Sequence, residues 1–292
     1  MNPITGLIDW LGTPLAYAFM QRGLLVSTMV GILCAVVGCY VVLRSMAFLG
    51  DAMAHAILPG VAIAYLLKGN LMIGALVAAI AVALGIGFFT RQGTIKEDTA
   101  IGILFAAALS LGVLLISTIK TYAVDLTHIL FGNVLGVGET DVWLTAGLGL
   151  AVLVTIALFY KEFLVISFDS VLAATIRLPA ERLRNLMLVL IALTIVVSMQ
   201  TVGVGLVAAM LVTPGATAYL LTRRLPTMML ISALIGAFSS IAGLYVSFYV
   251  NVASGAAVVL IATIIFMLVF LFAPARGIAW NYLPRSKRSE PA

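Results

Sequence analysis

The chain of 292 residues is 63% hydrophobic and only 9% charged, with a mean hydropathy of +1.22. This composition excludes a soluble globular domain and predicts a protein of the lipid bilayer. The net charge of +5 could indicate a nucleic-acid partner, but the basic residues are scattered between apolar runs instead of forming one patch. We therefore expect no nucleic acid among the partners.

Charge-free apolar runs predict the membrane-spanning segments, most of them holding roughly the 20 residues that cross a bilayer. Two longer runs predict helix pairs, with breaks at 203–205 and 251–255. In chain order the nine segments are 23–43, 52–67, 71–90, 99–119, 141–160, two within 185–222 and two within 225–275. The predicted fold is all-α: one polytopic membrane domain over 1–292 with 8 to 9 transmembrane helices, several of them short or broken.

The distribution of charge predicts the orientation of the spans. If they alternate, 13 of the 16 Lys and Arg residues gather on one side, which the positive-inside rule assigns to the cytoplasm. The loop 161–184 and the tail 276–292 are then cytoplasmic. Residues 1–22 show no basic stretch typical of a signal peptide, and they form either an interfacial segment or a short extra helix.

Two of the few ionisable residues, Asp51 and His55, lie within the apolar stretch GDAMAHAILPG at 50–60. Four residues apart on a helix, they share one face and can converge on a cation. A carboxylate with an imidazole suits divalent manganese, iron or zinc, with a slight preference for the first two. Pro59 and Gly60 follow, and because Pro59 has no amide hydrogen, the carbonyl oxygen of His55 could also face an ion path.

The alternative for this pair is a buried hydrogen bond that only locks helix packing. An ionisable residue within lipid is costly, however, and typically marks a substrate or ion path. Two ligands are too few for a first-row metal, so a second copy of the chain on a twofold axis would complete the set.

Two further features have open interpretations. His128, the other histidine, lies in a predicted outer loop and is either an entry ligand or a solvated side chain. Pro214 and Gly215 interrupt an apolar run, which predicts either a second broken helix on the pathway or a proline within a closely packed helix.

The chain contains no G-x-x-x-x-G-K-[ST] phosphate loop, no H-E-x-x-H and no G-x-S-x-G. We therefore expect no catalytic residues and an energy source outside this chain. A self-contained proton- or gradient-driven carrier or channel is the alternative, and a membrane metalloenzyme is a weaker one. In the long loop, SFDSVLAATIRLPAERL predicts an amphipathic helix that begins at Asp169 and ends before Pro179, docked on a partner or lying on lipid headgroups.

Taken in order, several motifs resemble those of permease subunits of the ABC transporter family that imports manganese, zinc or iron. They are MQRGLL (20–25), VVLRSMAFLGDAMAHAILPGVAIA (41–64), EDTAIGILFAAALSLGVLLIS (97–117), LFGNVLGV (130–137), SFD (167–169) and VASGAAVVL (252–260). The resemblance covers nearly the whole chain and implies a fold like that of type II ABC importers, in the inner (cell) membrane of a bacterium.

The same resemblance implies partners and residue roles. The partners are a second permease copy, in a homodimer or paired heterodimer, two cytoplasmic ABC ATPase subunits and an extracytoplasmic metal-binding protein. No cofactor is permanently bound; a divalent metal ion is the cargo, and Asp51 and His55 belong to its path. A coupling helix that rests on the ATPase comprises Asp169, Ser170, Val171, Leu172, Ala173, Ala174, Thr175, Ile176, Arg177 and Leu178. Arg177 is a departure, since members often have Gly there.

Overall fold

The computed structural model describes residues 12–91, 95–118, 136–168, 173 and 178–273. In these ranges the regular structure is entirely helical. The helices are α1 (Ala18–Leu43), α2 (Leu49–Ala56), α3 (Leu58–Leu66), α4 (Leu71–Thr90), α5 (Glu97–Ser117), α6 (Glu139–Leu158), α7 (Tyr160–Phe168), α8 (Ala180–Val202), α9 (Val204–Leu221), α10 (Leu225–Val250) and α11 (Ser254–Phe272). The predicted all-α class is confirmed.

Within the described residues, eight stretches are long and apolar enough to cross a membrane, and α2 with α3 forms one of them, over Leu49–Leu66. Most of α9, over Leu206–Leu221, is a ninth and shorter apolar helix. Both predicted breaks are confirmed: Gly203, at φ 87°, separates α8 from α9. Asn251 adopts the left-handed conformation, at φ 55°, and ends α10.

The boundaries of the first span differ from the sequence prediction. α1 begins at Ala18, so residues 18–22 belong to the span and not to a separate N-terminal element. Residues 12–15 form a helical turn before it, which agrees with the short-helix alternative for those positions. The rest of the predicted N-terminal segment, 1–11, lies outside the described residues, as does the tail 276–292.

The loop predicted over 161–184 is shorter than expected. α7 continues the fifth span, α6, to Phe168, and α8 already begins at Ala180. The prediction placed the loop boundaries at the charged residues Lys161 and Arg184. Charged side chains with good helix propensity end the apolar stretch without ending the helix, so the helices extend beyond the hydrocarbon.

α1 lies at the centre of the bundle, where it packs against α6, α8, α9 and α10. Within the apolar windows of α1 and α8, 67% of the positions are buried, against 17% in α5 and α11. These outer helices present apolar side chains outward, as expected for surfaces against lipid or another subunit. The inner and outer spans are both apolar on all sides and look alike in sequence. Which of them lie at the centre of the bundle is therefore decided by packing.

A tight turn links α1 to α2 and positions the residues that follow. Ser45 lies in the left-handed region at φ 57°. The amide of Met46 donates to the carbonyl oxygen of Val41 at 3.0 Å, as in a Schellman motif. The chain therefore reverses within a few residues, and α2 starts at Leu49 with Asp51 in its first turn.

Replacing Ser45 by Gly is expected to stabilise the chain by about 0.5–1 kcal/mol, because glycine adopts a positive φ without the steric cost of a Cβ. The measurement is the thermal unfolding midpoint of the purified chain in detergent. Ser45→Ala is the control, since it removes the hydroxyl but keeps the Cβ. A midpoint that is lower for Gly than for Ala would contradict the expected strain at this turn.

Candidate metal site and its surroundings

The two candidate ligands lie one turn apart on α2. The Oδ1 atom of Asp51 is 3.6 Å from the Nε2 atom of His55, and their side chains are 48% and 31% exposed. Every other residue of α2 is buried. The helix therefore presents a single polar stripe, an acceptor carboxylate beside an imidazole, on a face that this chain leaves partly open.

The helix breaks directly after this stripe. α2 ends at Ala56, Ile57 separates it from α3, and Pro59 is buried in the first turn of α3. Pro59 has no amide hydrogen to donate to the carbonyl oxygen of His55. The amide of Ile57 donates to that oxygen instead. A carbonyl oxygen has two lone pairs, so its place on an ion path stays a prediction.

Aromatic side chains flank the imidazole. The ring of Phe105, on α5, has its centroid 6.2 Å from that of His55, at an interplanar angle of 57°. Phe48 packs edge-on against Phe105 at 5.6 Å. Sequence reasoning missed this contact because Phe105 is one apolar residue among many in its span. The aromatic pair forms an apolar wall that limits the rotation of the imidazole.

Gly60 has a packing role in the structure. A Cβ built on Gly60 would collide with the carbonyl oxygen of Gly74, on α4, and one built on Gly74 would collide with that of Gly60. The backbones of α3 and α4 thus touch at this point, as small residues allow in membrane helices. α3, the second helix of the broken span, is thereby packed directly against α4. Any further role of Gly60 in a pathway stays a prediction.

Pro214 and Gly215 do not form a second break. α9 runs from Val204 to Leu221 with Pro214 inside it, and both residues are buried. A Cβ on Gly215 would lie 3.1 Å from the carbonyl oxygen of Gly38, on α1. The helix therefore corresponds to the alternative of a proline in a closely packed helix.

The remaining predicted site residues fall mostly outside the described part of the chain. His128 and eight of the ten coupling residues, at 169–172 and 174–177, lie there. Of the other two, Ala173 is helical and fully buried. The amide of Leu178 donates to the carbonyl oxygen of Ala173 at 3.0 Å. The role of this segment stays a prediction.

An ion cluster that the sequence analysis missed joins three helix ends. Arg44, at the end of α1, and Glu97, at the start of α5, form an ion pair. Arg184, on α8, lies 3.9 Å from the same Glu97 oxygen and donates to the carbonyl oxygen of Gly87 at 3.1 Å. Burial lowers the pKa of the Arg44 guanidinium and Glu97 opposes this, so Arg44 remains charged at neutral pH.

The cluster also bears on topology. Arg91 and Glu181 form a more exposed ion pair beside it, with Nε and Oε2 3.0 Å apart. The ends of α1, α4, α5 and α8 that carry these charges therefore lie at one end of the bundle, as the charge pattern predicted. Among the described residues, no group of three or more His, Cys, Asp or Glu side chains could hold a metal ion, so the Asp51–His55 pair needs further donors.

The fold defines a polytopic α-helical membrane protein, and an acid–imidazole pair beside a break in a span is typical of an ion path. The family model "ABC 3 transport family" matches residues 16–273. The manganese transport system membrane protein MntC of Halalkalibacterium halodurans is 47% identical over 290 residues, covering 99% of this chain and 98% of the relative. A probable iron transport system membrane protein of Haemophilus influenzae is 38% identical, covering 97% and 99%.

A solved structure shows the same architecture. PsaBC from Streptococcus pneumoniae in complex with Fab matches with a TM-score of 0.82 and 40% identity, covering 95% of this chain and 98% of the matched chain. The chain therefore belongs to the ABC 3 transport family. The resemblance to permease subunits of ABC transporters, inferred from its motifs, is confirmed.

Proposed function

We propose that this chain is the permease subunit of an ATP-driven importer that moves divalent transition-metal ions across the cell membrane by alternating access. Manganese is the foremost cargo, with iron or zinc as alternatives. The observation that carries the proposal is the Asp51–His55 pair, 3.6 Å apart on the open stripe of a broken span. The printed names of the relatives, manganese and iron transport proteins, support this class of cargo.

The chemistry of the pair suits a transported ion better than a permanently held one. One carboxylate and one imidazole supply two donors, fewer than the four to six that a first-row metal usually takes. A second permease copy across a twofold axis would add two more donors and close the site from the open side. A site assembled between two subunits can be opened by moving them apart, which is what release of a cargo requires.

We assign ATP hydrolysis and delivery of the metal ion to subunits other than the permease. The chain has no phosphate-binding loop, so two cytoplasmic ABC ATPase subunits would hydrolyse ATP, and the segment 169–178 would couple them to the permease. An extracytoplasmic binding protein would deliver the metal. In this orientation the C-terminus is cytoplasmic, and the permease itself is not an enzyme.

Reconstitution into liposomes tests this proposal against the self-contained carrier. We expect uptake of radioactive manganese only when the permease, the ATPase, the binding protein and ATP are all present. Liposomes with the permease alone, under a proton or manganese gradient, are the comparison. Uptake in these liposomes equal to that of the full system would overturn the proposal and favour the gradient-driven carrier or channel.

Truncating Phe105 to Ala is expected to raise the KM for manganese uptake by about 2- to 10-fold, because an aromatic contact contributes about 0.5–1.5 kcal/mol and here restrains His55. The measurement is initial uptake rate against manganese concentration in the reconstituted system. Phe105→Tyr keeps the ring and is the matched control, with a KM near that of the parent. Equal KM values for the Ala variant and the parent would show that the aromatic wall has no influence on the site.

A further inference from the structure

A cavity of about 470 Å³ opens at the end of the bundle that carries the ion cluster. Its walls include the end of α1, the end of α7 and the starts of α5 and α8. Arg44, Glu97, Ser167 and Arg184 line it, and the transport mechanism proposed above uses none of them. The cavity is distinct from the Asp51–His55 stripe, because the walls of the two share no residue.

Three buried donors at this cavity have no acceptor. The Nη1 atom of Arg44, the Nε atom of Arg184 and the Oγ atom of Ser167 are all without a hydrogen-bond partner. Buried donors of this kind are costly and are normally satisfied by protein, water or a bound group. A guanidinium group presents its N–H donors in one plane, where two of them can bind two oxygens of a carboxylate or phosphate at once.

The charges around the cavity favour an anion. Glu97 is shared by Arg44 and Arg184, while Glu181 is engaged by Arg91. The lining itself holds two arginines and two glutamates. Because Arg91 engages Glu181 from outside the lining, Arg44 and Arg184 are left to share the single carboxylate of Glu97. The start of α8, at Ala180 and Glu181, also lies at the wall, and helix N-termini favour negative groups. The amide of Ala180 itself donates to the carbonyl oxygen of Leu178 at 2.8 Å.

An apolar groove of about 270 Å³ adjoins this cavity. Leu43 and Phe168 line both, and Leu225 and Met228 continue the groove along α10. Phe168 is 61% exposed and stands between the two spaces. Tyr219, Thr222 and Arg223 also line the groove. A cavity with two arginines that continues into a largely apolar groove, at the end of membrane-spanning helices, fits a phospholipid, in which a phosphate is joined to acyl chains.

We propose that this composite site binds one anionic phospholipid of the inner leaflet, with the phosphate held by Arg44, Arg184 and Ser167 and an acyl chain along Leu43 and Phe168. Basic pockets between helices on the cytoplasmic side are known sites for lipid headgroups. A free phosphate would use the cavity but leave the groove empty. An acidic side chain of a partner protein would do the same, so the groove favours the lipid. The inference rests on the proposed orientation, which places this end of the bundle at the cytoplasm, and does not depend on the identity of the cargo.

The test compares ligands on the purified full-length chain in detergent. Native mass spectrometry counts retained lipid, and the thermal unfolding midpoint is measured with dioleoyl phosphatidylglycerol, dioleoyl phosphatidylcholine or glycerol phosphate. We expect one retained phosphatidylglycerol and a higher midpoint with this lipid than with the other two ligands. An equal effect of phosphatidylcholine, or of glycerol phosphate alone, would overturn the assignment to an anionic lipid.

Substitutions of the lining residues test whether the lipid binds at this cavity. Arg184→Gln is expected to weaken phosphatidylglycerol binding about tenfold and Ser167→Ala about threefold, as one charged or one neutral hydrogen bond is lost. Arg22→Gln is the matched control, because it removes the same charge from an exposed residue near the start of α1, whereas the cavity lies at the end of that helix, and it should retain binding. If Arg184→Gln fails to fold, Ser167→Ala decides. Equal loss in Arg22→Gln, or displacement of the lipid by added ATPase subunit, would overturn the proposal.

Discussion

Cells that depend on this permease and carry His55→Ala are expected to accumulate at least tenfold less manganese than cells with the parent chain. The substitution removes one of two donors on the open stripe of α2, and loss even of a group that only supports a metal ligand typically costs about 10- to 100-fold in affinity. Asp51→Ala should have an effect of similar size. Elemental analysis of the cells, with permease levels checked by immunoblot, is the measurement.

Matched variants separate this effect from general damage. Asp98 is an exposed carboxylate in the first turn of α5, and Asp98→Asn should leave accumulation unchanged. His128→Ala decides whether the second histidine is an entry ligand or a solvated side chain. Parent-like manganese levels and ATP turnover in an Asp51→Ala, His55→Ala double variant would refute the proposed function.

Glu97→Gln is expected to lower the free energy of unfolding by about 3 kcal/mol. The substitution leaves the guanidinium groups of Arg44 and Arg184, whose side chains are only 12% and 19% exposed, without their shared counter-charge. Breaking one side of a buried ion pair is strongly destabilising for this reason. The midpoint of thermal or denaturant unfolding in detergent is the measurement.

Glu181→Gln provides the control for this variant. Its partner Arg91 is 64% exposed, and such surface ion pairs contribute about 0–1 kcal/mol. A double variant, Arg44→Met with Glu97→Leu, should recover part of the loss, because removing both charges also removes the cost of burying them. If Glu97→Gln and Glu181→Gln destabilise equally, the buried cluster has no special role in stability.

The spans and their breaks were predictable from the sequence because they depend on local properties. Apolar length decides whether a helix can cross a bilayer, and residues such as Gly203 and Asn251 end helices through their own backbone conformations. The spacing of Asp51 and His55 sets their shared face as soon as α2 is helical. The gathering of these charged helix ends at one end of the bundle also followed from charge counting alone.

Other boundaries were not predictable from the same signals. The helices around 161–184 extend past the apolar run, because charged residues can remain helical outside the hydrocarbon. Pro214 lies inside a continuous helix although proline usually breaks one. At 161–184 the apolar pattern marks the edge of the hydrocarbon and not the end of the helix. At Pro214 the close packing against α1, which local propensity does not describe, accompanies the continuous helix.

The sequence by itself therefore determined the membrane class, the number and order of the spans, and the candidate metal pair. Only the tertiary structure brought Phe105 against His55, and Arg44, Glu97 and Arg184 into one cluster. The physical reason is the uniformity of the spans: helices that are apolar on all sides carry no pattern that names their neighbours. Backbone contact at small residues and the pairing of scarce charges choose those neighbours, and both depend on residues far apart in the chain.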